Sequence, residues 1–394
     1  MLIEIDAKGE SLLGMSPEEF LRDYWQKRPL LIRNAWPNIQ PPIEPEDLAG
    51  LACEEMALSR LISHDPATDE WNVETGPFPE EKFPDMPDHD WTLLVQDVDK
   101  WDGDVAAMRD CFDFLPRWRI DDIMISFAAT GGNVGAHVDH YDVFLIQTYG
   151  ERNWQIDASE SMGQGKPNLA FRNDVDIKLL QEFKATHDWI LKPGDMLYLP
   201  PEVPHHGVAV NPCLTYSLGM RAPSQADLIS DFADDIASRL EEDQRYVDPD
   251  LHAAKDPFEI DGESIERVRV AMKSLFDQDP ASFANWFGRF ITTYRNPGEI
   301  APMDEQPTVK AIDVALQGGL ELSRHPWSSM AWREDGDEAV VFFNGEEIRV
   351  SPEEARQICA TSVWNRSNWK ALQNKGRDAI ATLYARGQYA LTEP

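Results

Sequence analysis

The stretch GAHVDHYDVF, residues 135–144, places a histidine and an aspartate two positions apart in a segment that is otherwise typical of a β-strand. Because side chains alternate between the two faces of a strand, His137, Asp139 and Tyr141 are expected to point one way and His140 the other. Two ionisable groups on one face, followed by an apolar run, indicate either a solvated edge or a cavity that holds a cation.

A third ligand for such a cation is offered by the segment LKPGDMLYLPPEVPHHG, residues 191–207. A Pro-Gly-Asp turn precedes the predicted strand MLYLP, and Pro204 fixes the backbone just before His205. Two histidines and one carboxylate on one side of a metal form the facial triad of non-haem Fe(II) oxygenases, which leaves positions open for a co-substrate and dioxygen. We predict His137, Asp139 and His205 as the metal ligands; the competing interpretation is a set of polar residues on a barrel rim.

His140 and His206 are the rival ligands in these two segments. On a strand, the side chain of His140 points to the face opposite that of His137 and Asp139. If His205 points toward the metal, its neighbour His206 points away from it. We therefore expect both rivals to lie outside the ligand set.

Short predicted strands surround these residues between Trp91 and Arg221, separated by Gly, Pro and Asp turns. They are RIDDIMISFAA, DVFLIQTYG, RNWQID, DMLYLP and CLTYSLGM. Strands of this length and spacing favour a barrel or a double-stranded β-helix, so the predicted class is mainly β with added helices.

The pattern becomes helical after Ala222. Three segments carry apolar stripes at helical spacing, within residues 228–240, 265–276 and 283–291, and a Pro-rich acidic linker follows them. Beyond it, a predicted helix at 309–317 leads to a hairpin that turns at Asn344-Gly345, a strong hairpin signal. Two further helical stretches complete a pattern that is similar to a winged-helix module.

The motifs GGNVGAHVDHYDVFLIQTYGERNWQI and LKPGDMLYLPPEVPHHG closely resemble those of the JmjC-type 2-oxoglutarate oxygenases, and within them the bacterial ribosomal oxygenases. The likeness extends to YWQKRPLLIRNAW, SRLISHD and WTLLVQDVDKW. It implies a JmjC cupin-like jelly-roll domain at 1–223 (barrel core about 91–221), a helical dimerisation domain at 224–300 and a winged-helix-like domain at 301–394. It also implies Fe(II)-dependent hydroxylation, at the β-carbon, of an arginine in a large-subunit ribosomal protein.

The resemblance places the co-substrate 2-oxoglutarate on Arg152, which follows the His-Asp motif in YGERNWQI. A guanidinium suits a carboxylate because its planar fork donates two parallel hydrogen bonds. The family often has a serine where this chain has Ala128, so we expect Ser126, or else Thr148, to take that role. Weaker binding of 2-oxoglutarate is the alternative.

The strand RIDDIMISFAA has a mixed face made of Asp122, Met124, Ser126 and Ala128, which we expect to line the cavity. A buried aspartate needs a cationic partner, and a substrate arginine supplies one. The resemblance places Asp122 and Met124, with Tyr141 and Ser217, around that arginine. A capping role for Asp122 is the competing interpretation.

A formal net charge of −34 over 394 residues disfavours contact with nucleic acid and favours a basic partner, although acidic adaptation for solubility explains it equally well. The four separated cysteines, the acidic start and the lack of a long apolar run favour a cytoplasmic protein without a membrane segment. Two other functions stay open: hydroxylation of a ribosomal-protein histidine, and a non-catalytic cupin-like metal-binding protein.

Overall fold

A computed structural model describes residues 3–159, 169–175, 177–253, 256–277, 279–293, 300–304 and 307–394. The chain divides into two compact units, residues 1–222 and 223–394. Part of the sequence expected to be a linker, residues 296–299 and 305–306, lies outside the described residues. The expected three-part division therefore stays a prediction.

The first unit contains the strands and helices that precede residue 222. They are β1 (Glu4–Asp6), α1 (Pro17–Asp23), β2 (Leu30–Arg33), α2 (Pro45–Leu51), β3 (Ser59–Asp65), β4 (Glu70–Thr75), β5 (Trp91–Val95), α3 (Gly103–Ala107), β6 (Ile120–Ala128), β7 (Val143–Tyr149), β8 (Arg152–Ile156), β9 (His187–Leu191), β10 (Met196–Leu199), β11 (His205–Ala209) and β12 (Cys213–Met220).

Two sheets form the body of this unit. The larger has nine strands in the order β1-β2-β10-β7-β12-β6-β5-β3-β4, and the smaller has the order β11-β8-β9. An apolar cluster that includes Leu145 and Leu197 from the large sheet and Trp154 and Leu191 from the small one joins their facing sides. On its other face, the large sheet packs against the N-terminal helices through Phe20, Leu48 and their neighbours.

Side-chain alternation decides which strand residues reach the space between the sheets. In β6, Ile123 and Ile125 are fully buried in the core shared with the N-terminal helices. Asp122, Met124 and Ser126 therefore point to the opposite face, as the sequence pattern predicts. The register pairs them with Gly219, Ser217 and Thr215 of β12.

The prediction of a continuous strand from residue 135 to residue 144 is wrong. Residues 136–142 form a loop in which only His137 makes an isolated bridge, to His205, and β7 begins at Val143. Gly135 has a positive φ of 76°, which breaks the pleat. The side chain of Asn133 accepts a hydrogen bond from the Gly135 amide and stabilises this turn.

The second unit begins with three helices and continues with two small sheets. Its elements are α4 (Gln225–Ser238), α5 (Gly262–Phe276), α6 (Pro280–Thr292), α7 (Val309–Gln317), β13 (Glu321–Arg324), β14 (Met330–Asp335), β15 (Glu338–Phe343), β16 (Glu346–Val350), α8 (Pro352–Ala360), β17 (Val363–Trp364), α9 (Arg366–Ala371), α10 (Asn374–Ala385) and β18 (Tyr389–Thr392). The sheets have the orders β17-β13-β18 and β14-β15-β16.

Local sequence signals explain the main elements of this unit. Ser224 and Asp227 form a capping box at the start of α4. The predicted hairpin turns at Asn344 and Gly345, which both adopt positive φ, between β15 and β16. α4 and α6 bury Phe232, Ile236 and Trp286 against one another.

Candidate metal centre and active site

Three side chains converge where the loop before β7 meets the start of β11. His137, Asp139 and His205 each offer a ligand atom, and these atoms lie within 4.8 Å of one another. The Nε2 atom of His205 is 3.6 Å from Oδ2 of Asp139. Within the described residues no other group of histidine, cysteine and carboxylate side chains comes together in this way. Two imidazoles and a carboxylate on one side of an ion make a facial donor set that suits Fe(II).

Both imidazoles are oriented by backbone carbonyls. His137 Nδ1 is 2.9 Å from the Gly135 oxygen, and His205 Nδ1 is 2.9 Å from the Val203 oxygen. A proton on each Nδ1 leaves Nε2 with its lone pair free for a metal. Burial and the nearby His137 hold the pKa of His205 below its ordinary value. The ring is therefore neutral at pH 7, the form that binds a metal.

The rival histidines lie outside the ligand set. His140 is exposed, and its Nδ1 is 2.6 Å from the carboxylate of Glu202. His206 points away from His205 in β11, and its Nε2 is 3.2 Å from Oδ1 of Asn133. Burial, followed by the charge of Arg152, lowers the pKa of His206 to about 4.

Arg152 reaches from β8 into the space between the sheets and is almost fully buried. Its two terminal nitrogens donate to Ser126 Oγ at 3.2 Å and to the Gly207 carbonyl at 3.1 Å, while Nε has no partner. No carboxylate in the described part of the chain forms a salt bridge with it. A buried cation without a counter-ion is costly, so this pocket fits an anionic ligand such as the far carboxylate of 2-oxoglutarate.

The structure also shows the surroundings of Ala128, which stands where the family often has a serine. Ala128 is fully buried with Ala209 and Cys213 in a small apolar cluster. Ser126, two residues earlier on the same strand face, contacts Arg152 directly. Thr148 instead donates its hydroxyl to the Leu214 carbonyl. Of the two expected replacements, Ser126 is the one placed beside the guanidinium.

Asp122 is a buried carboxylate for which no described residue provides a salt bridge. Its Oδ2 accepts a hydrogen bond of 3.1 Å from the Asp97 amide. Burial, and then the nearby carboxylate of Asp97, raise its pKa to about 7. The capping interpretation is incomplete, because one amide does not neutralise a buried charge. The guanidinium of an incoming substrate would neutralise the charge of Asp122.

The other predicted substrate residues lie on the same side of β6 and β12. Ser217 is buried and pairs in register with Met124, which is half-buried. Tyr141 is 40% exposed and approaches from the loop before β7, with Cε2 near Gly219. The structure thus brings Asp122, Met124, Tyr141 and Ser217 together at one end of the shared β6 and β12 face, and it places Arg152 with Ser126 farther along β6.

The polar cluster of Asp99, Lys100 and Arg109, which lies behind Asp122, was not predicted from the sequence. Asp99 is fully buried, forms salt bridges with Lys100 and Arg109, and accepts the Ile123 amide at 2.9 Å. These contacts hold the turn at 97–100 against β6. The signal was present as the DVDK tetrapeptide after β5, but only the fold shows that it lies next to Asp122.

Models of two protein families match the chain. A JmjC domain matches residues 107–228, and a ROXA-like winged helix matches residues 274–390. The expectation of a JmjC, cupin-like fold with a winged-helix end is therefore confirmed.

Curated relatives and solved structures agree with these matches. The ribosomal protein uL16 3-hydroxylase of Escherichia coli is 39% identical over 339 residues, which are 86% of this chain and 87% of that protein. A probable ribosomal oxygenase of Haemophilus influenzae is 40% identical over 61% of this chain and 56% of its own length. The structure of YcfD, a ribosomal oxygenase from Escherichia coli, in complex with cobalt and 2-oxoglutarate superposes with a TM-score of 0.81 at 35% identity, covering 96% of this chain and 99% of that one. The chain belongs to the JmjC ribosomal oxygenase family.

Proposed function

We propose that this protein is an Fe(II)- and 2-oxoglutarate-dependent hydroxylase that modifies an arginine side chain of a large-subunit ribosomal protein, uL16. The proposal rests on three groups: a His-Asp-His donor set, a buried arginine without a counter-ion that donates to Ser126 of β6, and a buried aspartate without a cation on the same face of β6. The Escherichia coli relative, a ribosomal protein uL16 3-hydroxylase, supports the choice of substrate.

His137, Asp139 and His205 hold the iron in this proposal. When bound, iron supplies the dioxygen chemistry in which 2-oxoglutarate is oxidised to succinate and carbon dioxide and one oxygen atom enters the substrate. Asp139 offsets part of the metal charge. The Gly135 and Val203 carbonyls keep both imidazoles in the tautomer that binds metal.

Arg152 and Ser126 hold the far carboxylate of 2-oxoglutarate. The guanidinium already has both terminal nitrogens engaged, with Ser126 and Gly207, so its orientation is fixed before the co-substrate arrives. The complex of YcfD with cobalt and 2-oxoglutarate, which has the same fold, supports this assignment. Ser126 supplies the hydroxyl that Ala128 lacks.

Asp122 binds the guanidinium of the substrate arginine, while Met124, Tyr141 and Ser217 contact its side chain. The tyrosine ring offers a face on which a planar cation can stack. Anchoring the guanidinium at Asp122 would leave the carbons nearer the peptide backbone free to face the iron. The 3-hydroxylase activity named for the Escherichia coli relative supports the β-carbon as the modified atom.

Two other functions fit the site less well. A neutral histidine substrate would leave the charge of Asp122 unpaired, although a short match to a bifunctional lysine-specific demethylase and histidyl-hydroxylase exists, 37% identical over 87 residues. A non-catalytic metal-binding protein would not need a buried arginine in the same cavity.

Succinate formation and mass spectrometry test the proposal together. The purified protein is incubated with Fe(II), 2-oxoglutarate and uL16, and the products are compared with a reaction lacking iron. We expect iron-dependent succinate and the gain of one oxygen atom on an arginine. Succinate without modified uL16 would reject the substrate, and the absence of both would reject the enzyme.

We further propose that the helices of residues 224–294 join two copies of the chain. Positions 254, 255, 278 and 294 of this range lie outside the described residues. Their outer faces expose apolar side chains that a monomer leaves in water, including Ile229 at 61% and Ile265 at 57%. An exposed apolar surface of this kind marks an interface. A second copy is the natural occupant because a twofold interface pairs identical patches.

The winged-helix unit is proposed to serve packing or protein binding, without direct contact to nucleic acid, because the chain carries a net charge of −34. The same charge suits a basic ribosomal protein as partner. Among the described residues, no helix has both the length and the apolar character needed to cross a bilayer. A cytoplasmic location fits action on ribosomal proteins.

A further inference from the structure

We infer that Gly219 determines substrate specificity by leaving a slot open for the substrate guanidinium between Asp122 and Tyr141. This inference rests on the proposed function, since it concerns the arginine that Asp122 is proposed to bind. Gly219 lies in β12 directly opposite Asp122 of β6, so a side chain at this position would share the face that carries Asp122, Met124 and Ser126.

The backbone does not require glycine at this position. Gly219 is absent from the residues with positive φ, so its conformation is open to any L-amino acid. A Cβ atom placed there would lie 3.3 Å from Asp122 Oδ1 and 3.8 Å from Tyr141 Cε2, without striking the backbone closely. By contrast, a Cβ at Gly132 would lie 2.1 Å from a carbonyl oxygen, so that glycine is demanded by the fold.

What glycine provides at position 219 is space beside the two groups proposed to bind the substrate. The Asp97 amide holds Oδ2 of Asp122, and Oδ1 is the oxygen that faces the missing side chain. A planar cation above Gly219 therefore meets the Asp122 carboxylate and lies beside the Tyr141 ring at once. A methyl group at Gly219 would occupy this volume and push the guanidinium away from Oδ1.

The chemistry of the slot favours an unmodified guanidinium. A compact ammonium reaches Oδ1 but lacks the planar fork of a guanidinium, and a methylated guanidinium brings added bulk and fewer N–H donors to the carboxylate. A single methyl group in a fitted pocket changes recognition by about 10- to 200-fold. Gly219→Ala should therefore weaken binding of an arginine peptide by about tenfold or more.

Isothermal titration calorimetry on full-length protein loaded with Mn(II) and 2-oxoglutarate tests this inference. Synthetic peptides that together cover all the arginines of uL16 are first screened for binding to wild type. The peptide with the highest affinity is the probe. Gly50→Ala is the matched control, because a Cβ at Gly50, in α2, would meet nothing within 4 Å. We expect Gly219→Ala to lose peptide affinity while its 2-oxoglutarate affinity and melting temperature stay at wild-type values, and Gly50→Ala to bind normally.

A second measurement moves the methyl group from the protein to the ligand, so it does not depend on the folding of a variant. Wild-type protein should bind the dimethylarginine form of the probe at least about tenfold more weakly than the arginine form. Equal peptide binding by wild type and Gly219→Ala, or equal binding of the arginine and dimethylarginine peptides, would overturn the role of Gly219. Failure of wild type to bind any uL16 peptide would instead reject the proposed substrate, and the slot with it.

Discussion

His137 and His205 exchange both of their backbone hydrogen bonds, each 3.0 Å long, although His137 lies in a loop that pairs with β11 only at this bridge. This bridge fixes two ligands that are far apart in sequence in one geometry. The Glu202 amide adds a hydrogen bond of 2.7 Å to the Asp139 carbonyl, which holds the third ligand. The donor set is thus shaped by backbone contacts before any metal binds.

Replacing a ligand should abolish iron binding and turnover together. We expect His137→Ala, Asp139→Ala and His205→Ala each to lower 2-oxoglutarate turnover by about a thousandfold or more, because two remaining ligands hold the ion poorly. His140→Ala is the matched control, since that histidine is exposed and bonded to Glu202. Iron content and succinate are measured on the same samples. A fully active His205→Ala would show that the ligand set is wrong.

Arg152→Lys should raise the KM for 2-oxoglutarate by about 10- to 100-fold, since an ammonium cannot replace the fork that also contacts Ser126 and Gly207. Ser126→Ala should have a smaller effect in the same direction. Arg172→Lys, which changes an arginine in surface salt bridges with Asp69 and Asp174, is the control. Succinate formation across a range of 2-oxoglutarate concentrations measures the change. An unaltered KM in Arg152→Lys would place the co-substrate elsewhere.

The dependence of peptide hydroxylation on pH should reveal Asp122. Its pKa of about 7 means that the free enzyme carries the protonated, neutral form below that pH. Because the guanidinium needs the carboxylate, kcat/KM for the peptide should fall about tenfold per pH unit as the pH drops below 7. Asp122→Asn should be about 100-fold slower at pH 8 and should lack this pH dependence. The control Asp121→Asn should keep it with a midpoint at a lower pH, because the Asp121 charge contributes to the raised pKa of Asp122. A wild-type profile in Asp122→Asn would make Asp122 structural.

The same pKa gives a prediction for stability in the absence of substrate. A carboxyl group whose folded pKa is raised binds more protons in the folded than in the unfolded state, so stability falls as the pH rises from about 4 to about 7. Asp122→Asn removes that cost, which is of the order of a few kcal/mol. At pH 8 the variant should melt at a higher temperature than wild type. Near pH 4 the two proteins should melt at the same temperature. A lower melting temperature at pH 8 would contradict the origin of the shift.

The helical surface gives a prediction about assembly. Ile265→Asp, on an exposed apolar face of α5, should convert a dimer into a monomer because it buries a charge in the proposed interface. Val314→Asp, at a similarly exposed position on α7, should leave the dimer intact. Light scattering at dilute concentration reports the mass. A wild-type monomer would reject the proposed homodimer.

The sequence predicted much of the strand pattern and the members of the donor set, and particular residues show why. Alternation in β6 and β12 placed Asp122 and Ser126 on one face because that rule is local. The loop at 136–142 was not predicted, because the positive φ of Gly135 and the bridge from His137 to His205 depend on a segment far along the chain. The proximity of Gly219 and Asp97 to Asp122 was not predicted for the same reason. It follows from strand register for Gly219 and from a tertiary contact for Asp97.

Site-resolved mass spectrometry of uL16 after incubation with this protein, Fe(II) and 2-oxoglutarate tests the proposed arginine hydroxylation. We predict one added oxygen atom, on the β-carbon of a single arginine, formed only with iron and lost in Asp139→Ala. An oxygen atom on a histidine, or an unmodified uL16 in a reaction that produces succinate, would contradict it.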